Sequence, residues 1–187
     1  NPQGAWDYTA DGPGNTALSV WQIALLTQAR GQGWTDDRGH LRRSLAWLQC
    51  QSDGHAFGYR QAGMPPPGGG QGLTLTAMAA ATLLDAARAY PALVPAAEAA
   101  ADAVRQARFR DTRMAPDYYR DYFLSRVWAG FADQRALDAV QARLAMAPSA
   151  SGAAGTYWVA NDAWRHAGGD LYATTMALLS PRTGRLP

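Results

Sequence analysis

Asp117 and Asp121 stand four residues apart, a spacing that puts two carboxylates on one helical face, where they can bind a cation or divide general acid and general base roles. The pair also has a structural use. Asp117 follows Pro116 in a first helical turn, where the dipole stabilises negative charge, and Arg120 or an exposed Arg can balance Asp121. Trp21, Tyr118, Tyr119, Tyr122, Trp128 and Tyr172 can line a cavity and stabilise a cation with their ring faces, or they can fill a core with large apolar area. For both sets packing is the commoner use of such residues.

The remaining reactive side chains offer less. His40, His55 and His166 are far apart and fall near helix starts or turns, so no metal site and no cofactor are expected. His166 stands at i, i+4 spacing from Asp162 and Asp170, but Gly168-Gly169 breaks the face between them and a solvated turn is expected. Cys50, the single cysteine, cannot make an internal disulfide. It is expected to lie inert among buried helix residues, with no adjacent His or cationic group to lower its pKa. The Gly-x-Ser-x-Gly elbow of serine hydrolases is absent from the sequence.

The elements that must position these groups are helical. From Thr16 to Ala29 the apolar residues Leu18, Val20, Trp21, Ile23 and Leu25 recur at helical spacing until Gly31 and Gly33. A second helix is expected from Asp36 to Gln51 with Thr35 as its cap, a third from Leu73 to Ala89 closed by Pro91, and a fourth with Pro95 in its first turn running to Phe109. Further helices are expected over Asp117–Phe131, Asp133–Met146 and Asp170–Leu179, the last stopped by Pro181. The count is about seven helices with no strand, an all-α chain. Residues 62–72, rich in Pro and Gly, read as an exposed loop. The triplets Ala24-Leu25-Leu26, Thr82-Leu83-Leu84 and Ala177-Leu178-Leu179 each sit late in a helix. Their intervals leave room for one further unit near Ala129-Gly130-Phe131, so helix pairs recur about every fifty residues and must stack to bury their faces.

At 187 residues the chain fits one domain, 1–187, and its 48% hydrophobic and 17% charged content is ordinary for a folded protein. All 17 basic residues are Arg, and the formal net charge is only +2. The densest basic run, Arg105, Arg108, Arg110 and Arg113, is short and interrupted by Asp111, which disfavours a nucleic-acid partner. No apolar run approaches the ~20 residues a bilayer crossing needs, so a soluble chain is expected. Asn1 is not followed by a basic start and an apolar stretch, so any signal peptide has been removed already or was never there. The compartment stays open.

The run Arg43-Ser44-Leu45-Ala46-Trp47-Leu48-Gln49-Cys50-Gln51-Ser52-Asp53-Gly54-His55-Ala56-Phe57-Gly58-Tyr59 resembles the Gln-Trp type motif of the prenyltransferase and squalene-cyclase repeat family. In that pattern an outer helix ends in an aromatic and a Leu, a Gln can bond the exposed end of a neighbouring helix, and a Gly turn and a packing aromatic follow. Gly72-Leu73-Thr74-Leu75-Thr76-Ala77-Met78 looks like the small-residue inner helix that comes next. The segments 117–123 and 168–180 look like the closing repeats of bacterial proteins of this kind, and Arg185-Leu186-Pro187 resembles how they finish. Gln3-Gly4-Ala5-Trp6-Asp7-Tyr8 reads like the tail of another such motif, as if the chain started inside a repeat.

The resemblance implies repeated helical hairpins forming a partial or small α/α toroid, with about four of the six hairpins of a full ring. Its open end would be covered by a missing segment, a partner or a second copy. The family's reactive groups do not match. The Asp-x-Asp-Asp acid of the cyclases is absent from the sequence, Leu48 stands where the prenyltransferase zinc site needs an Asp before its Cys, and Cys50-Gln51-Ser52-Asp53 is not a thioester motif. The expectation is therefore a non-catalytic binding or assembly module. Its partner would be a protein, a second copy or a hydrophobic small molecule, met by an aromatic-rich concave surface or by the Pro/Gly loop. The alternative is a fragment or degenerate relative of a squalene or terpene cyclase that holds an isoprenoid among the six aromatics.

Overall fold

The structure, a computed structural model, describes residues 1–66, 72–110, 117–147, 149–152, 155–162 and 165–180. It is mostly helical, with seven α-helices among the described residues and one small two-stranded sheet. The chain divides into two compact units, Asn1–Arg110 and Asp111–Pro187. Among the described residues no helix is long and apolar enough to cross a membrane. Part of the Pro/Gly loop (67–71), Arg113, Pro116, and the C-terminal segment from Pro181 lie outside the described residues.

The first unit holds α1 (Thr16–Gly31), α2 (His40–Gln49), α3 (Leu73–Ala87), a 3-10 turn (Pro91–Leu93) and α4 (Val94–Arg110). Asn15 caps α1 by accepting from the Leu18 N–H at 2.9 Å. At the other end Gly33, with φ +93°, turns the chain back so that the N–H groups of Gly33 and Trp34 reach the carbonyls of Arg30 and Ala29 at 3.0 Å. Helix α3 is buried nearly all round, from Leu75 through Thr82 to Leu83, which makes it the centre of the unit. Its small residues Ala77, Ala79, Ala80 and Ala81 let neighbours approach closely, and it packs against both α1 and α4, while α1 also packs against α2.

In the second unit come α5 (Tyr118–Gly130), α6 (Gln134–Met146), β1 (Ser149–Gly152), β2 (Gly155–Trp158) and α7 (Arg165–Leu179). Asp117 and Asp133 cap α5 and α6 through bonds from Arg120 N–H (2.9 Å) and Ala136 N–H (3.0 Å). Helix α5 packs against α6 and α7, and α7 against β2. Phe123, Val127, Trp128, Val140 and Leu144 fill the space between them.

The structure corrects the sequence reading in five places. Helix α2 starts at His40, not Asp36, because Asp36 remains outside it and uses its carboxylate to accept from the N–H groups of His40 (2.7 Å) and Leu41 (2.8 Å), with Gly39 at φ +64° making the turn. Asp117 lies just outside α5 as its cap, since its side chain turns back onto the helix. Strands β1 and β2 form an antiparallel hairpin paired from Ser149↔Trp158 to Gly152↔Gly155, although Ser-Ala-Ser-Gly carries no strand signal. Trp158 anchors that hairpin from outside, its indole N–H donating to the Leu144 carbonyl at 2.8 Å. Cys50 is exposed, because the buried stripe of α2 runs through Leu41, Ser44, Leu45 and Leu48 and Cys50 follows off that face. Finally, Gln49 and Gln51 donate to the Leu45 (3.2 Å) and Trp47 (3.0 Å) carbonyls of their own helix, since these last-turn acceptors lie nearest.

One hydrogen bond occurs three times. The backbone N–H of Trp6 donates to Ser19 Oγ at 3.0 Å, that of Phe57 to Thr76 Oγ1 at 3.0 Å, and that of Trp158 to Thr174 Oγ1 at 3.1 Å. In each case the aromatic closely follows a glycine of positive φ, Gly4 (+93°), Gly54 (+90°) and Gly155 (+109°), and the hydroxyl lies in the next odd-numbered helix, in the first turn or so of α1 and α3 and shortly after the non-helical break at Gly169 in α7. In the first two the amide just before the aromatic donates to an Asn or Asp side chain, Ala5 to Asn1 (3.0 Å) and Ala56 to Asp53 (2.8 Å).

A second bond occurs twice, once in each unit. Thr16, at the start of α1, donates its hydroxyl to the carbonyl of Gly58, the residue after Phe57, at 2.7 Å. Tyr118, at the start of α5, donates its phenol to the carbonyl of Val159, the residue after Trp158, at 3.0 Å.

Candidate functional site

The residues with chemical potential gather in the second unit, where α5, α6, α7 and the segment after β2 meet. Asp121 is fully buried; one oxygen meets Arg143 at 2.8 Å and Arg120 Nε at 3.5 Å, while the other accepts a long bond, 3.4 Å, from the Asp117 N–H. Arg120 is itself 3% exposed. A carboxylate buried between two guanidiniums offsets part of its desolvation cost through the pairing, so removing one of these partners is destabilising.

Asp162 works in the same neighbourhood without being on a described helix. Its Oδ2 accepts from the Tyr118 N–H at 3.1 Å and from the Tyr172 phenol at 2.9 Å. Asp170 accepts from the Ala160 N–H at 2.8 Å. Burial raises the Asp117 carboxyl above the ordinary range, against the lowering effect of the Arg120 N–H bond, and the nearby Asp162 and Asp121 charges push it the same way. Burial followed by the Asp162 charge pushes the Tyr118 phenol up to about 12 and raises Tyr172 as well. The carboxylates thus serve as caps and acceptors. Among the described residues no group of three or more His, Cys, Asp or Glu is placed to hold a metal ion.

Five of the six aromatics proposed as ligand contacts lie in this unit. Tyr118 and Trp128 are buried core residues and Tyr122 is nearly so, whereas Tyr119 and Tyr172 are half-buried. Tyr172 meets Tyr118 edge-on with centroids 6.4 Å apart and lies 6.4 Å from the Tyr119 ring; Tyr122 meets Phe123 at 4.9 Å. Arg126 lies 5.7 Å over the Tyr122 ring, a cation supplied by the protein itself. Trp21 belongs to the first unit, half-buried on α1. His40, His55 and His166 are all exposed; His40 contacts Arg43 and His166 contacts Arg165.

The first unit contains a groove of about 200 Å³ between the end of α2, the turn after it and α4. Four alanines of α4 and Phe57 form most of its wall. That is below the roughly 300–1,000 Å³ of typical small-molecule sites.

Asp162 as the acceptor for two tyrosines was not legible in the sequence, because its partners stand 44 and 10 positions away. The recurring aromatic-to-hydroxyl bond was equally hidden, since Ser19, Thr76 and Thr174 are ordinary helix residues until their partners are known. Scanned against family models the chain matches none, and no curated protein matches it.

Proposed function

We propose that the chain is an α/α-toroid type repeat module whose work is binding and assembly and not catalysis. The supporting observation is the recurring join. An aromatic after a positive-φ glycine fixes its amide to a hydroxyl of the next odd-numbered helix three times, and a hydroxyl at the start of one odd helix reaches the following repeat's turn once in each unit. Recurrence of one bond set at similar spacing is what stacked units of a repeat array need, because each buries its face only against its neighbour. On this reading α1 and α3 share a layer within the first unit, and α5 and α7 within the second. Asp117, Asp121, Asp162, Asp170, Tyr118 and Tyr172 contribute to stability through the partners named above.

Incubation of the purified chain with a linear squalene-like hydrocarbon tests the non-catalytic part. The hydrocarbon is recovered unchanged under this reading. A cyclised product contradicts it and favours a degenerate cyclase.

A further inference from the structure

We infer that the join between the start of α5 and the segment after β2 is a pH-sensitive clasp, tight when Asp117 carries a proton and loosened when Asp117 is ionised and its charge faces those of Asp162 and Asp121. The clasp lies wholly within the second unit and does not depend on the repeat reading.

Three carboxylates serve the first turn of α5. Asp117 Oδ1 accepts from the Arg120 N–H at 2.9 Å, Asp162 from the Tyr118 N–H at 3.1 Å, and Asp121 reaches back to the Asp117 N–H at 3.4 Å. A helix start favours such acceptors, because its first N–H groups have no partners within the helix and its dipole attracts negative charge. Three like charges at one helix start also repel one another. The guanidiniums do not serve the three equally. Arg143 of α6, at 2.8 Å, and Arg120, at 3.5 Å, both meet Asp121, whereas the half-buried Asp117 makes no ion pair among the described residues. A proton on Asp121 would weaken two ion pairs, and one on Asp117 weakens none. With the proton on Oδ2, Asp117 keeps Oδ1 as the acceptor that caps α5. Burial first, with the Asp162 and Asp121 charges adding to it, holds the Asp117 carboxyl above its ordinary value of 3.8.

The repulsion acts across named bonds. Tyr118 ties the segment after β2 to α5 twice, through its N–H to Asp162 and through its phenol to the Val159 carbonyl at 3.0 Å, and Tyr172 of α7 donates to the same Asp162 oxygen at 2.9 Å. An ionised Asp117 pushes Asp162 away from these donors, and a neutral one does not. Asp170 of α7 is exposed and holds the Ala160 N–H of the same segment at 2.8 Å, while Arg165 and His166 are exposed and contact each other. An exposed imidazole so close in the chain to Asp162 calls for a measurement that reads Asp117 itself. Since the folded chain holds the Asp117 proton more tightly than an unfolded one, the gain in stability is complete below 3.8 and is lost as pH rises through the folded value. Asp7 and Asp53 in the first unit run the other way. The N–H groups of Tyr8 and His55 lead in holding them below 3.8, so their contributions are lost as pH falls.

NMR of the whole chain tests the proposal by following the Asp117 carboxyl carbon and the exchange of the Tyr118 amide from about pH 3 to about pH 8. The carboxyl is expected to titrate above 3.8, and the Tyr118 amide, corrected for the intrinsic pH dependence of exchange, to lose protection severalfold through the same transition. Asp117→Asn keeps a capping acceptor without the charge and is expected to hold the protection of the acid form at every pH. Asp162→Asn is expected to move the Asp117 midpoint down toward 3.8. An Asp117 carboxyl that titrates at or below 3.8 overturns the proposal, as does Tyr118 protection that stays level or rises while Asp117 ionises. Both of these are read on the wild type, so they decide the matter even where a variant does not fold. A D117N chain that still loses protection with rising pH, or an Asp117 midpoint unmoved in D162N, overturns it equally.

Discussion

The phenol of Tyr118 donates to the Val159 carbonyl at 3.0 Å, matching in the second unit what the hydroxyl of Thr16 does to the Gly58 carbonyl at 2.7 Å in the first. A threonine and a tyrosine thus reach the same place in two repeats with side chains of different length. Thr16→Val and Tyr118→Phe keep the shape and remove the donor, and each is expected to cost about 1 kcal/mol. Urea unfolding checks this as a lowered midpoint at unchanged slope.

Asp121 carries the charge balance of the second unit. Asp121→Asn removes the buried anion that Arg120, 3% exposed, and Arg143 share and is expected to cost about 3 kcal/mol in the same measurement. A neutral result would mean that solvent reaches the pair.

Two glycines should respond in opposite directions. A Cβ on Gly58 would lie 1.8 Å from the Gln61 carbonyl oxygen, a backbone atom that cannot step aside, so Gly58→Ala is expected to destabilise by about 2 kcal/mol. Gly31, at the end of α1, has no heavy atom within 4 Å of such a Cβ, and Gly31→Ala is expected to stabilise by about 0.5 kcal/mol. Thermal melts distinguish the two.

The buried phenols predict an alkaline transition. Their values are raised in the folded state, so their contribution to stability is complete below the ordinary tyrosine value near 10 and is lost as pH rises through the folded values. Absorbance titration is expected to show Tyr118 ionising at about 12 and Tyr172 also later than an ordinary tyrosine. Tyr172→Phe should remove part of the pH dependence of unfolding above 10. Unchanged pH dependence would contradict the burial of the Tyr172 phenol beside Asp162.

Helix placement was largely legible because Leu, Trp and Ile spacing and breaks such as Gly31 and Pro91 act locally. The start of α2 was not, because Asp36 caps from outside a turn that Gly39 makes, which looks like helix in a list of residue types. The β1–β2 hairpin escaped for a related reason: its order comes from Trp158 bonding Leu144 and Thr174, contacts 14 and 16 positions away. The repeat was visible only as a spacing. The Leu-Leu triplets suggested it, yet Leu83 is buried whereas Leu25 and Leu178 are exposed, so they are not equivalent positions. The hydrogen-bond register supplies the equivalence, and it is hidden in sequence because Ser19, Thr76 and Thr174 differ in type and surroundings. At the candidate site the acidic pair was legible as a spacing, but its partner Arg143 lies a helix away.

Amide hydrogen exchange at Trp6, Phe57 and Trp158 tests the repeat join most directly. All three amides are expected to exchange slowly in the wild type, and Ser19→Ala, Thr76→Ala and Thr174→Ala each to speed its own partner about tenfold while leaving the other two unchanged. Wild-type exchange as fast as that of a free amide at any of the three, or variants that speed all three alike, would contradict it.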